Sequence, residues 1–357
     1  MKLAVISVTN KGAELAGRLA PCLGPEVDLY VKAGRNPINA PHSYQSLRDL
    51  VHEIFPLYEG FIFIMATGIV VRVIAPYVKD KRIDPAVVVM DDGGNFAISL
   101  LAGHIGGAND LTRLIAAAAG ATAVITTATD IASLPAADVL AVKLELEMEP
   151  FSALKTINSA IVNGDRVVFF VDNALPGYQR YLDLAAEQGV TLVGLDELAC
   201  KDGYDAAVII TDRNLAVDKP HLYLRPASLA LGVGCRRGAT GGEVLAAIKQ
   251  ACSEIGRSIK SVAIIGSTIV KENEIGLLAA AEQLDVPIEF FNNEQLARCI
   301  EQNKLSLSDF VNETIGVGNV CEPAAILTGQ SSNLLLTKTK YHKVTVAIAP
   351  VKYRWWE

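Results

Sequence analysis

The feature that most restricts the fold is an alternation between short β-branched apolar runs and longer stretches of helical spacing. Lys2–Val8 reads as a strand, Thr9-Asn10-Lys11-Gly12 as a polar turn in which Thr9 or Asn10 caps a helix, and Ala13–Leu19 as that helix. Further apolar runs follow at Gly60–Met65, Ala86–Met90, Ala97–Leu101 and Ala123–Thr127, with Ala108–Ala119 as a helix among them. Continuously apolar strands are buried on both faces, and strands separated by helices build parallel sheets. The expected class is therefore α/β: several domains with mostly parallel sheets flanked by helices.

A chain of 357 residues accommodates two or three domains at about 100 to 200 residues each. Pro135, Pro150 and Pro176-Gly177 punctuate the middle of the chain. The first domain is expected over 1–134. A middle α/β domain is expected over 135–226, with strands at Arg166–Val171 and Ala207–Thr211 and helices at Ser152–Val162 and Tyr178–Gln188. It carries an acidic alternation at Glu145, Glu147 and Glu149 but no chemical motif, and reads as a spacer or lid. The last domain, 227–357, repeats the α/β design: strands at Leu229–Gly234, Ser261–Gly266, Ile288–Phe291 and Val344–Ala349, and helices at Gly242–Ile255 and Glu274–Leu284. Its tail holds both tryptophans, Trp355 and Trp356, which are expected to pack back as an anchor.

Hydrophobic residues make up 51% of the chain, which raises the question of a membrane. The longest nearly uninterrupted apolar stretch, Phe61–Val71, is about half of the roughly 20 residues a spanning helix needs. The opening Met1–Val8 is too short in its apolar core for a signal peptide. A cytoplasmic protein without a membrane partner is expected. The net charge, 32 − 39 = −7, argues against nonspecific nucleic-acid binding. Six cysteines without a CxxC, and five scattered histidines without an HExxH, suggest neither a protein-held metal nor a disulfide framework.

The densest chemistry lies between Met65 and Asp110. Ala66-Thr67-Gly68-Ile69-Val70-Val71-Arg72 places a glycine at a strand end before a helix, so that N–H groups near Thr67 and Gly68 point outward toward an anion. Arg72, Lys79, Lys81 and Arg82 add positive charge suited to carboxylates. The Asp91-Asp92-Gly93-Gly94-Asn95 segment reads as a hairpin turn between two apolar runs. Turn preference explains Asp91, and acid–base work remains open to it. In Ala102-Gly103-His104-Ile105-Gly106-Gly107-Ala108-Asn109-Asp110 a histidine sits among glycines before an Ala-rich helix that Asn109 or Asp110 would cap. The expected position of His104 is a strand's C-terminal edge, where open α/β sheets bind ligands, with a pKa class suited to proton transfer. Gly232-Val233-Gly234-Cys235-Arg236-Arg237-Gly238 is one residue too long for a dinucleotide fingerprint, and its twin arginines point to an anion instead. Gly316-Val317-Gly318-Asn319-Val320-Cys321-Glu322 is a second glycine turn feeding a helix. Cys321 there is a conceivable nucleophile without an identifiable base.

Taken in order, MATGIVVRVIAP (65–76), KRIDPAVVVMD (81–91), ISLLAGHIGGAN (98–109), LGVGCRRG (231–238) and VNETIGVGNVCEPAA (311–325) resemble the cobalamin-biosynthesis CbiG family, the cobalt-precorrin-5A hydrolases. The resemblance is collinear over nearly the whole chain. Asp92 and Ala102 depart from the glutamate and serine common in the family. The resemblance implies opening of the δ-lactone of cobalt-precorrin-5A and release of acetaldehyde to give cobalt-precorrin-5B. It implies no cofactor, since cobalt arrives with the substrate, and a cobalt-tetrapyrrole as the partner. Other corrin-pathway enzymes and a homo-oligomer stay open. The alternative is a non-catalytic tetrapyrrole-binding or scaffold protein of the same pathway. Joined to the residue chemistry, this makes His104 the candidate acid or base, with backbone N–H groups around Gly106 and Gly107 as oxyanion donors and Asp91 and Glu322 as further catalytic candidates. Thr67, Gly68, Arg72, Lys81, Arg82, Gly106, Gly107, Asn109, Gly234, Arg236, Arg237 and Gly318 are the candidate contacts to a polycarboxylate macrocycle. No protein metal ligand is expected.

Overall fold

The computed structural model describes residues 1–131, 134–198, 202–307 and 316–352. Cys200, the 311–315 half of the last motif and the Trp355-Trp356 tail lie outside the described residues. The chain forms two compact units, Met1–Val139 and Leu140–Glu357, and three mostly parallel sheets flanked by helices. Among the described residues no helix is long and apolar enough to cross a membrane.

The first unit runs β1 (Leu3–Ser7), α1 (Asn10–Leu19), β2 (Val27–Lys32), β3 (His42–Tyr44), α2 (Leu47–Ile54), β4 (Gly60–Ile64), α3 (Thr67–Ile74), β5 (Ala86–Met90), β6 (Phe96–Leu101), α4 (Ala108–Ala119), β7 (Thr122–Val124), α5 (Ala128–Ile131) and α6 (Ala137–Lys143), the last crossing into the second unit. The sheet order is β3-β2-β1-β4-β5-β6-β7. Neighbours from β3 to β5 are parallel, β6 runs antiparallel to β5, and β7 is parallel to β6. Every residue of β1, β4 and β5 is buried, which explains their unbroken apolar runs. Leu15, Leu19 and Ile115 of α1 and α4 cover one face, and Val51, Ile54, Val70 and Ile74 of α2 and α3 cover the other. Thr9 caps α1, its hydroxyl accepting from Gly12 N–H.

The second unit holds two sheets. In the first, β8 (Glu147–Glu149) and β12 (His221–Arg225) pair antiparallel at one edge. With β9 (Val167–Val171), β10 (Leu192–Gly194) and β11 (Ala206–Ile210) they give the order β10-β9-β11-β12-β8, with α7 (Ala153–Asn163) and α8 (Tyr178–Glu187) as its helices. The other sheet comprises β13 (Leu229–Cys235), β14 (Val262–Thr268), β15 (Ile288–Phe291), β16 (Leu336–Tyr341) and β17 (Val344–Pro350) in the order β15-β14-β13-β17-β16. Its helices are α9 (Gly241–Glu254), α10 (Ile275–Leu284), α11 (Asn293–Asn303) and α12 (Cys321–Gly329).

A buried ion network joins these two sheets. Arg225, 3% exposed, donates from Nε to Glu149 Oε2 at 2.7 Å and from Nη1 to the carbonyls of Thr211 and Arg213. Ser258 also donates to Glu149, at 2.9 Å, and Asp212 takes Ser228 Oγ at 2.8 Å and pairs with Arg257. The acidic alternation of the middle segment is thereby explained: Glu147 and Glu149 share one side of β8, and Glu147 pairs with Lys260 at 2.5 Å.

Helix α12 lies so close to β13 that a Cβ on Gly232 would stand 1.7 Å from Cys321 O and 2.6 Å from Ala325 N. The first glycine of the near-fingerprint therefore admits a helix backbone rather than a pyrophosphate. Gly232→Ala is expected to cost about 3 kcal/mol or more through overpacking. Gly242→Ala, in open space on α9, is expected to be neutral or stabilising. Urea unfolding midpoints decide, and a Gly232→Ala midpoint equal to wild type would mean that α12 is free to lift from the sheet.

Candidate functional site

The hairpin between β5 and β6 divides the first unit's candidate residues between two edges. Asp91 accepts from Gly93 N (3.1 Å), Asn95 N (2.8 Å), Asn95 Nδ2 (2.8 Å) and Phe96 N (2.7 Å). Burial opposes its charge, but these donors outweigh it and hold the carboxyl below the usual carboxylate range. All four contacts serve the turn. Asp91 and Asp92 lie with Thr67 and Gly68 at the edge where β1, β4 and β5 end, and Thr9 Oγ1 donates to Asp92 at 2.8 Å there. Arg72 turns back along α3 and donates to Gly68 O at 2.9 Å.

His104 is not at that edge. The sequence expectation assumed that the strand before it runs with its neighbours, but β6 is antiparallel to β5. The histidine loop therefore emerges where β1, β4 and β5 begin, beside the 75–85 connection, and the Asp84 carbonyl would lie 3.4 Å from a Cβ on Gly106. Lys81 and Arg82 belong to that connection. Arg82 is paired in place with Asp80, Nε to Oδ1 at 2.7 Å and Nη2 to Oδ2 at 3.0 Å, and the Lys79 N–H donates to Asp84 at 2.9 Å.

At this edge His104, 11% exposed at its side chain, lies between two aspartates: Nε2 is 2.6 Å from Asp130 Oδ2 and Nδ1 is 3.2 Å from Asp138 Oδ2. The hydrogen bond to Asp138 is the largest influence on the ring; burial opposes it, Asp130 reinforces it, and the imidazole is held charged above its ordinary range. A charged ring with both nitrogens engaged is an acid and an electrostatic anchor rather than a ready base. Asp130 also receives Asn109 Nδ2 at 2.9 Å, Thr127 Oγ1 at 2.7 Å and an Arg113 ion pair, and Ser99 Oγ donates to Asn109 Oδ1 at 2.7 Å. Burial works against the Asp130 charge, yet Thr127, His104 and Arg113 keep it below the usual range.

Asn109 or Asp110 was expected to cap α4. The cap position falls instead on Gly107, whose φ of 82° suits only glycine without strain, and the Asn109 side chain turns inward to the network. The Gly107 N–H is spent on the His104 carbonyl at 3.0 Å, which removes it from the expected oxyanion donors. Asp130, Asp138, Arg113 and Thr127 escaped the sequence reading. The apolar run at 123–127 reads as a strand and Pro135 as a domain boundary, which hides the TTATD cluster at 126–130, the one local signal for this group.

In the second unit, Gly234 lies within β13, paired with Thr345 of β17, and Arg236 and Arg237 open the turn that follows the strand. Arg236 N donates to Lys343 O at 2.9 Å, and Gly238 N donates to Glu274 Oε1 at 2.7 Å. Glu274 also pairs with Lys271 at 3.1 Å. The Gly238 hydrogen bond is the largest influence on Glu274; burial opposes it, and Lys271 and Arg237 help keep it ionised. The exposed guanidinium groups of Arg236 and Arg237 make no hydrogen bond or ion pair with the described residues. Glu322 is buried and committed: it accepts Lys338 N at 3.0 Å and Asn319 Nδ2. Burial pushes the neighbouring Cys321 thiol up to about 12, against a nucleophilic role. Gly318 packs against Leu307, which lies 2.8 Å from where its Cβ would stand.

Three family descriptions match the chain in order: Cobalamin synthesis G N-terminal over residues 49–130, Cobalamin biosynthesis central region over 135–226, and Cobalamin synthesis G C-terminus over 229–349. A cobalt-precorrin-5A hydrolase of Priestia megaterium is 32% identical, covering 98% of this chain and 95% of that protein. One of Salmonella typhimurium is 36% identical over 93% of each chain. A probable cobalt-precorrin-5A hydrolase of Methanocaldococcus jannaschii is 31% identical over 98% of this chain and 99% of its own.

The charge held on His104 gives a pH signature. Its folded pKa lies above the ordinary 6.5, so the stability it contributes is complete below that value and is lost as pH rises through the folded pKa. Urea unfolding of wild type and His104→Gln between about pH 6 and pH 9 is expected to show a gap that narrows with rising pH. A gap that stays constant or widens would mean the buried ring is neutral.

Proposed function

The chain belongs to the CbiG family of cobalamin-synthesis proteins, and from that membership we propose that it is a cobalt-precorrin-5A hydrolase. The observation that carries the proposal is similarity over nearly the full length of proteins bearing that name, with all three family regions in order. In this reading water opens the δ-lactone to a carboxylate and a hydroxyl group, and the extruded carbon then leaves with its methyl group as acetaldehyde, giving cobalt-precorrin-5B. Cobalt enters and leaves as part of the substrate.

The chemistry needs a proton donor for the departing lactone oxygen and cations for the carboxylates of the macrocycle. His104, held as imidazolium between Asp130 and Asp138, supports the first role. Arg236 and Arg237, without protein partners among the described residues, support the second. Asp91 and Glu322 now rank below His104: both are acceptors committed to the turn and to Lys338 N–H and Asn319, whereas His104, though engaged at both nitrogens, carries the proton that an acid must give up.

Incubating the protein with cobalt-precorrin-5A while trapping acetaldehyde is the direct test, and one acetaldehyde per substrate consumed is expected. Binding without acetaldehyde would favour a tetrapyrrole carrier. His104→Gln is expected to lower kcat about 10²-fold or more, and Arg236→Ala to act mainly on KM. Wild-type turnover by His104→Gln would move the proton donor elsewhere.

A further inference from the structure

Polar and apolar surface meet at the carboxyl edge of the last sheet in a way the hydrolase reading does not itself require. Between β14 and α10 the chain exposes Ile269 (47%) and Val270 (53%), and α10 opens with Ile275, 81% exposed. Leu278, also exposed, follows Ile275 at a spacing that puts both on one side of the helix. Ile275 gains little for the fold where it stands, its neighbours are only half covered, and clustered exposure of this kind marks a binding surface.

The start of α10 is packed directly against the arginine turn. A Cβ on Gly276 would stand 1.9 Å from Ala239 O, and Glu274 grips Gly238 N–H. The apolar patch and the arginines 236 and 237, whose guanidinium groups make no hydrogen bond or ion pair with the described residues, therefore share one edge. Lys271 and Glu274 neutralise each other between them, leaving Glu272 as an acidic group at the rim. An apolar surface beside cations held by a rigid turn complements a ligand with a flat or saucered apolar ring and peripheral carboxylates.

We propose that Ile269, Val270 and Ile275 form a platform for one face of the tetrapyrrole ring, while Arg236 and Arg237 take its carboxylates. The inference rests on the hydrolase reading for its ligand, and it adds the residues that recognise the ring itself.

The test titrates wild type, Ile275→Glu, Ile275→Val and the double variant Arg236→Ala/Arg237→Ala with uroporphyrin, a tetrapyrrole polycarboxylate, and measures KM for cobalt-precorrin-5A. Glutamate at the first position of α10 suits the helix N-terminus, so Ile275→Glu should melt like wild type. It is expected to weaken uroporphyrin binding about tenfold or more and to raise KM, with Ile275→Val near wild type. The double variant is expected to bind more weakly and with a shallower salt dependence. Wild-type uroporphyrin affinity and KM for Ile275→Glu would overturn the platform, as would a wild type that fails to bind uroporphyrin. An Ile275→Glu effect confined to sedimentation would overturn it too, by making the face a contact between copies. If wild type releases no acetaldehyde while Ile275→Glu still loses uroporphyrin, the hydrolase reading falls and the platform stands.

Discussion

The reversal at Asp91 governs the arrangement of the first unit. Four hydrogen bonds converge on one carboxylate and turn the chain back on itself, so β6 joins the sheet against the direction of its neighbours. A parallel β6 would deliver the histidine loop to the edge where β1, β4 and β5 end. The antiparallel one delivers it to the edge where they begin. There the 75–85 connection, the α4 start and the TTATD segment meet, and the glycines at 103 and 106 leave room for Asn109 and the Asp84 backbone. Which groups can cooperate chemically is thus set by one turn, before any catalytic residue is considered.

Buried charge is handled alike in both units, by surrounding it. His104 has an aspartate on each nitrogen, and Asp130 gathers donors from Asn109, Thr127, His104 and Arg113. Arg225 spends its donors on Glu149, two carbonyls and Asn214, and its guanidinium lies over the Tyr223 ring. Removing one member of such a set strands the others without water, which is costlier than losing a surface pair and of order 3–5 kcal/mol for a buried ion pair. The network around Arg225 crosses between the two sheets of the second unit. It ties the middle segment to the last sheet through Glu147 and Glu149, contacts that the sequence reading of a spacer or lid did not anticipate.

What was legible in the sequence was local. Strands such as Ala86–Met90 declare themselves by continuous burial, and α1 by its Thr9 cap and apolar stripe. The hairpin declared itself through its Asp-Gly-Gly-Asn turn. Strand direction after that turn was also available, since a tight hairpin cannot join parallel strands, yet the consequence for His104 is two steps removed. Asp130 and Asp138, 26 and 34 residues beyond His104, leave no periodic trace, because a partner across a loop is fixed by tertiary approach alone. Gly232 shows the same limit: its spacing already spoke against a dinucleotide site, but the helix from residue 321 onward that requires a glycine there leaves no mark beside it in the sequence.

The net charge of −7 gains meaning from which cations the fold has already used. Arg82, Arg113, Arg225 and Arg257 are each paired with an aspartate or glutamate, and Arg72 donates to the Gly68 carbonyl of its own helix. A cation so engaged must give up a partner before it can meet a substrate carboxylate, and that exchange returns little net energy. Arg236 and Arg237 make no hydrogen bond or ion pair with the described residues, Arg237 acting on Glu274 only at longer range, and their turn is fixed by Lys343, Glu274 and the capping box of Thr240 with Glu243. Carried on a fixed turn, they can meet an anion without first breaking an ion pair, at the cost of ordering their own side chains. The sequence offered two cationic clusters of equal standing. Pairing within the fold makes them unequal: Arg72 and Arg82 of the first cluster are engaged, while Arg236 and Arg237 of the second make no hydrogen bond or ion pair with the described residues.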